Sequence, residues 1–232
     1  MHARGPLKAS DFFALPESLS AFRPFFAADA APWDWLAQIG PALAACRFES
    51  KPPKVPAGVQ LEGLVHLGEG VSLPAQATLI GPVWIGAGTQ IRPGAFIRGN
   101  VITGEGCILG NSSEFKNCLL MDGVQAPHFN YVGDSVLGNR AHLGAGAICS
   151  NLRLDQKHVF IQLEGGPVDT GLKKFGAILG DAAEVGCNAV LNPGTLLGPR
   201  SLVMPAISFG GVLPPAMIAR VRQQVTWVPR KF

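Results

Sequence analysis

Aliphatic side chains return every sixth residue along most of this chain: Leu61, Leu67, Leu73, Leu79, Ile85, Ile91 and Ile97 form an unbroken series. The series resumes in a new phase as Leu137, Leu143 and Cys149, and again as Leu179, Val185, Leu191, Leu197 and Val203. A glycine often follows directly, as at Gly68, Gly86, Gly138, Gly144, Gly180, Gly186 and Gly198. Neither the helix period of about 3.6 nor the strand period of about 2 alone gives this spacing. Stacked coils of short flat strands do. The aliphatic member of each unit points inward, and glycine or another small residue takes the turn.

The chain therefore reads as an all-β solenoid, a left-handed parallel β-helix of hexapeptide repeats. Such a core grows one coil at a time, so 232 residues need not divide into separate globular units. A hydrophobic content of 47% against 15% charged residues suits a buried axis with extensive subunit contact, and does not suit a disordered chain. The net charge of +3 is small and the basic residues are scattered, which is wrong for a nucleic-acid binder. A few lysines and arginines facing a phosphorylated ligand fit the same balance. Cys46, Cys107, Cys118, Cys149 and Cys187 show neither close pairing nor metal-site spacing, so no metal is expected, and Cys149 and Cys187, in or beside repeat positions, read as small buried side chains. The N-terminus has no signal-peptide pattern, and no apolar run approaches the ~20 residues of a membrane span. A cytoplasmic protein without a membrane partner is expected.

Three regions follow. Residues 1–50 read as a helical N-terminal cap or arm over the open first coil. Its helix is opened by Ala31-Pro32-Trp33, continues one apolar face through Leu36, Ile39 and Leu43, and lies beside a Phe-rich stretch. Residues 51–212 are the solenoid, entered through three prolines in 51–58. Its repeat slips phase through Met121 to Phe129 and is interrupted again at about 152–178. There Val159, Ile161 and Leu163 alternate before Glu164-Gly165-Gly166-Pro167, the pattern of a hairpin leaving the barrel. Residues 213–232 form a C-terminal helix, begun by Pro214-Pro215 and running to about Gln224, with a tail. Departures from a repeat are where function is placed.

The first departure carries Ala126-Pro127-His128-Phe129-Asn130-Tyr131-Val132-Gly133-Asp134. A histidine, ordinarily titrating near ~6.5, can take a proton from an incoming nucleophile. A lone one is more often structural. Here His128 is followed by Leu143-Gly144-Ala145-Gly146-Ala147, Cys149-Ser150-Asn151, Val168-Asp169-Thr170-Gly171-Leu172-Lys173-Lys174 and Gly186-Cys187-Asn188-Ala189-Val190-Leu191-Asn192-Pro193. Over roughly residues 80–205 this order resembles the acetyltransferase domain of bacterial bifunctional N-acetylglucosamine-1-phosphate uridyltransferases. It is closer still to the C-terminal half of sugar-1-phosphate nucleotidylyltransferase-like proteins.

The resemblance implies an acyltransferase that uses acetyl-CoA as co-substrate and an amino sugar 1-phosphate as acceptor, built as a homotrimer with sites between subunits. It implies His128 as general base and Asn151 as the group steadying acceptor or acyl. Arg92, Lys116, Tyr131 and Lys157 match positions around the sugar phosphate. His142 stands where the bacterial enzyme has an asparagine lining the sugar site. Ala145, Cys187 and Pro205 are implied for the cofactor. Gly86-Ala87-Gly88-Thr89-Gln90 falls inside the repeat between Ile85 and Ile91, so it is a turn and not a nucleotide loop, and nucleotide transfer is not expected from these residues. Two alternatives stay open: a non-catalytic trimeric module that binds sugar phosphate for a separate nucleotidyltransferase, and an O-acyltransferase with another small acceptor.

Overall fold

The structure, a computed structural model, describes residues 7–48, 54–222 and 226–230. From Gly58 onward the chain winds as a parallel solenoid with three faces, each strand pairing with the strand one coil later. The inward column of the first face runs Leu61, Leu79, Ile97, Phe115, Val132, Cys149, Leu191, Phe209. That of the second includes Thr103, Leu120, Leu137, Leu179, Leu197 and Leu213. That of the third includes Ile91, Leu109, Leu143, Val185, Val203 and Ala219. The six-residue period is thus one face per unit, and these columns form one continuous core.

The phase slip has a local cause. From Ile97 to Phe115 a coil takes 18 residues, whereas Phe115 to Val132 and Val132 to Cys149 take 17. The lost residue is at the corner between the first and second faces. Gly99 and Asn100 make that corner in one coil, and Asn117 alone, then Asp134 alone, make it in the next two. Both single residues adopt left-handed backbone with φ 46, a conformation Asn and Asp tolerate better than most. The repeat does not break between Met121 and Phe129, because Gln125–His128 is an ordinary third-face strand paired to Ile108–Asn111.

The second interruption is an insertion at the same corner, one coil later. It contains the expected hairpin, Phe160–Leu163 against Gly166–Asp169. The hairpin does not project. Val159, Ile161 and Phe175 are buried with Ile178 and Leu196, which point outward from the second face, so the insertion folds back over that face.

The arm also lies elsewhere than expected. Its helix Asp34–Ala44 buries Trp35, Leu36, Ile39, Ala42 and Leu43, but it packs along the flank of the solenoid rather than over the open end. Ile102, Leu119 and Val136 explain this, since these outward side chains of the second face are as apolar as the core. Covering them contributes about 1.5–3 kcal/mol for each fully buried aliphatic. Phe22 meets Trp84 edge-on at 5.5 Å. Polar ties fix the arm to the coil corners: Asp181 N–H donates to Phe12 O at 2.8 Å, and Asn139 Nδ2 donates to Ala14 O at 2.8 Å.

No C-terminal helix begins at Pro214. Leu213 to Ala219 is one further six-residue unit, with strands Val212–Leu213 and Ile218–Ala219 in register with Leu196–Leu197 and Leu202–Val203. Pro214-Pro215 takes the corner that Gly198-Pro199 takes one coil earlier. The end of the expected helix, beyond Arg222, lies outside the described residues.

Candidate active site

Two groups of polar side chains flank the first face. One lies on the edge where the third face turns into the first. Along that edge Pro93, Asn111, His128, Ala145, Cys187 and Pro205 stack, one per coil. The N–H of the residue following each of the last five donates to the member one coil earlier. Thus Phe129 N–H donates to Asn111 O at 2.9 Å, Gly146 to His128 at 3.0 Å, Asn188 to Ala145 at 2.8 Å and Ala206 to Cys187 at 2.9 Å. His128 and the three residues implied for the cofactor therefore form a single column.

Buried Asn130 shapes the turn that presents His128. Its Oδ1 accepts the His128 N–H at 3.1 Å, and its Nδ2 donates to Gly144 O at 2.8 Å and Ala147 O at 3.3 Å. The side chain of His128 is largely exposed, with Nε2 3.3 Å from Arg92 Nη1. A guanidinium can only donate, so this contact is a hydrogen bond when Nε2 carries its lone pair, in the neutral, proton-accepting imidazole. Arg92 is itself held by Gln90 Oε1 at 3.0 Å.

The second group lies at the short corner. Asp134, almost wholly buried, accepts from Lys116 Nζ at 3.0 and 3.2 Å, from Asn117 Nδ2 at 2.9 Å and from Asn151 Nδ2. Asn151 Nδ2 also reaches the Tyr131 hydroxyl at 3.1 Å. The insertion sets Asn151 there: Phe175 N–H donates to Asn151 O at 2.9 Å, and Gly176 N–H to Asp134 O at 2.8 Å. The hydroxyl end of Tyr131 lies over Gly133, where an added Cβ would stand 2.5 Å from the phenolic oxygen. Burial pushes the Tyr131 hydroxyl pKa up, and the Glu114 and Asp134 charges push it the same way. Beside it Arg98 pairs with Glu114 at 2.7 Å.

The residues named from sequence thus fall into two sets, His128 with Arg92 and Lys116 with Tyr131 and Asn151. Lys116 is not a bare cation, because Asp134 already balances its charge. His142 is on the outer surface of the third face, in register with Gln125 and Glu184, away from both groups. Lys157 sits on an exposed turn ordered by Asp155, which pairs with Arg153 at 2.7 Å and accepts the Lys157 N–H at 3.2 Å. Its side chain bonds to neither group. Cys187 is exposed, unlike Cys107, Cys118 and Cys149. Burial pushes the thiols of Cys107 and Cys149 up to about 12. Asp134 and Asn130 were not singled out from sequence; the one-residue shortening of the repeat was the available signal for Asp134.

The parallel solenoid of hexapeptide repeats places the chain in the hexapeptide β-helix class, which includes acyltransferase domains. Within that class, residues 79–208 match the GMPPB C-terminal domain, and the chain belongs to that family. It is 37% identical over 150 residues to the bifunctional protein GlmU of Methanococcus maripaludis, an alignment covering 65% of this chain and 36% of that protein. It is 32% identical over 174 residues to the bifunctional sugar-1-phosphate nucleotidylyltransferase/acetyltransferase of Sulfurisphaera tokodaii, covering 75% of this chain and 43% of the relative. The chain thus matches less than half the length of either relative. The acetyltransferase domain of PglB from Neisseria gonorrhoeae, solved with acetyl coenzyme A, superposes with a TM-score of 0.44 at 18% identity. That overlap, 56% of this chain and 53% of the other, is too partial to speak to fold or ligand. Among the described residues no helix is long and apolar enough to cross a membrane.

Proposed function

We propose that this chain, as a cytoplasmic homotrimer, transfers the acetyl group of acetyl-CoA to the amine of an amino sugar 1-phosphate. The observation that carries this reading is the edge column: an exposed histidine in line with Ala145, Cys187 and Pro205 on the coils that follow. Small side chains there leave room for an extended pantetheine arm, and His128 stands at the end of the row.

In the reaction the amine nitrogen attacks the thioester carbonyl as His128 accepts its proton. The tetrahedral intermediate then collapses, the C–S bond breaks, and the proton returns to the departing CoA thiolate. No covalent enzyme intermediate is needed. Asn130 fixes the backbone of the base, and Arg92, which occupies the Nε2 lone pair in the free protein, gives that lone pair up to the incoming amine. Tyr131 and Asn151, locked together beside Asp134, present a rigid polar surface to the acceptor. Such fixed geometry supplies much of what positioning can contribute to rate.

The test is release of CoA thiol from acetyl-CoA in the presence of glucosamine 1-phosphate or galactosamine 1-phosphate. Release that depends on the sugar and disappears in His128→Ala, with the melting temperature unchanged, supports the proposal. A folded protein that releases no CoA with either sugar refutes it. One observation favours a second reading, O-acylation of an uncharged acceptor: the Lys116–Asp134 pair leaves the second group with little free positive charge for a phosphate. CoA release that depends on glucose or galactose, which carry hydroxyls but neither amine nor phosphate, would select it.

A further inference from the structure

A cleft of about 690 Å³ separates the arm from the solenoid on a different edge, where the second face turns into the third. Its charged lining is Arg23, Arg140, Arg200 and Asp181. The one carboxylate is occupied: Asp181 Oδ1 accepts from Asn139 N–H at 2.7 Å and from Asn139 Nδ2 at 2.9 Å. Arg23 is paired with Glu17 at 3.0 Å. Among the described residues, Arg140 and Arg200 have no side-chain hydrogen bond or ion pair, so the cleft carries two unmatched guanidinium groups.

Both arginines stand at one repeating corner of the coils. Both adopt left-handed φ 56, at a corner that Gly70, Gly88, Gly106 and Gly123 occupy in earlier coils. Ala182 and Ala216 take the same left-handed conformation at this corner, so what sets the two arginines apart is that each lines the cleft with an exposed guanidinium that has no partner among the described residues. The coil between them places Ala182 at the same corner, linked through Ala182 N–H to Asn139 O and Arg200 N–H to Asp181 O. With coils about 4.8 Å apart, the two arginines stand about 10 Å apart along the edge, over a small side chain. Two long guanidinium arms rooted at that spacing match an extended oxyanion, because each can bond phosphate oxygens in pairs. Apart from Ser10 the remaining side chains of the wall are apolar, among them Leu15, Ala27, Pro199, Phe26 and Trp35. The arm that builds this wall lies outside residues 79–208, the part shared with the family.

We propose that this cleft binds an organic diphosphate of the nucleoside diphosphate class, with the diphosphate across Arg140 and Arg200 and the base or sugar against the arm. The site stands apart from the His128 edge and does not rest on the function proposed for it.

The test is calorimetric titration of the full chain with ADP, with pyrophosphate and adenosine in separate arms and CoA as competitor. One ADP per chain is expected, with pyrophosphate at least tenfold weaker and adenosine weaker still. Arg140→Gly and Arg200→Gly should each weaken ADP at least tenfold while raising the melting temperature, since glycine relieves the left-handed backbone. An arginine that served only the fold would lower it. Absence of ADP binding overturns the proposal. So does binding that both variants leave unchanged and CoA displaces, which belongs to the other edge. Pyrophosphate binding as tight as ADP overturns the organic part, and with it the ligand class.

Discussion

Replacing Asp134 by asparagine removes one buried negative charge and keeps the shape of the corner. The carboxylate is 6% exposed and its partner Lys116 22% exposed, and three side chains donate to it. Breaking a buried ion pair on one side costs about 3–5 kcal/mol. The partial exposure of Lys116 lets water solvate the stranded ammonium, so the lower end applies, about 3 kcal/mol. For a chain of this size each kcal/mol lowers the melting temperature by about 2–4 °C, so Asp134→Asn should melt about 6–12 °C below the parent. The natural assay is calorimetry together with urea unfolding, on Asp134→Asn, Lys116→Met and the double variant. The double variant should recover at least 1 kcal/mol relative to the sum of the singles, since the two side chains act as a pair. Additive losses, or a single-variant loss below 1 kcal/mol, would refute the claim that this pair holds the short corner together.

Two other outcomes follow from packing and burial. Gly133→Ala should cost at least about 1 kcal/mol in urea unfolding, because its Cβ would stand 2.5 Å from the Tyr131 hydroxyl and 2.8 Å from Asn151 Nδ2, a donor to buried Asp134. Acetyl transfer should fall at least tenfold as both are displaced; unchanged turnover would show that their positions do not matter to the reaction. The Cys149 thiol, buried and raised from 9.0 to about 12, keeps its proton in the folded chain at pH values where the unfolded chain has released it. Its contribution is therefore intact below pH 9 and lost as pH rises toward 12, at about 1.4 kcal/mol per pH unit. Urea unfolding at pH 9, 10 and 11 should show the stability gap between parent and Cys149→Ala narrowing at that rate, and a constant gap would contradict it.

The solenoid was legible because its signal is inward and periodic: each Leu or Ile of the series falls on a face of the core. What lies outside the core was harder to place. The apolar residues of the second face that point outward, such as Ile102 and Val136, carry no mark in the sequence to distinguish a covered flank from an exposed one. The arm and the insertion were therefore found in sequence while their resting place was not. Pro214-Pro215 suggested the start of a helix, though proline also suits a coil corner, and only pairing with Leu202–Val203 decides between them. In the candidate site, His128 and Tyr131 were visible through their motif. Asp134 stood in that same motif unremarked, since a buried acceptor is defined by neighbours 17 or 18 residues away in the chain.

A three-sided prism with one side walled off has two sides left to offer. The arm and the insertion together occupy the second side, so lateral association between copies has only the first and third sides to use. Those two sides share a single edge, and it is the one on which His128 stands. Any closed ring assembled through them would bring that edge to a joint between chains, where a neighbour could supply the opposite wall.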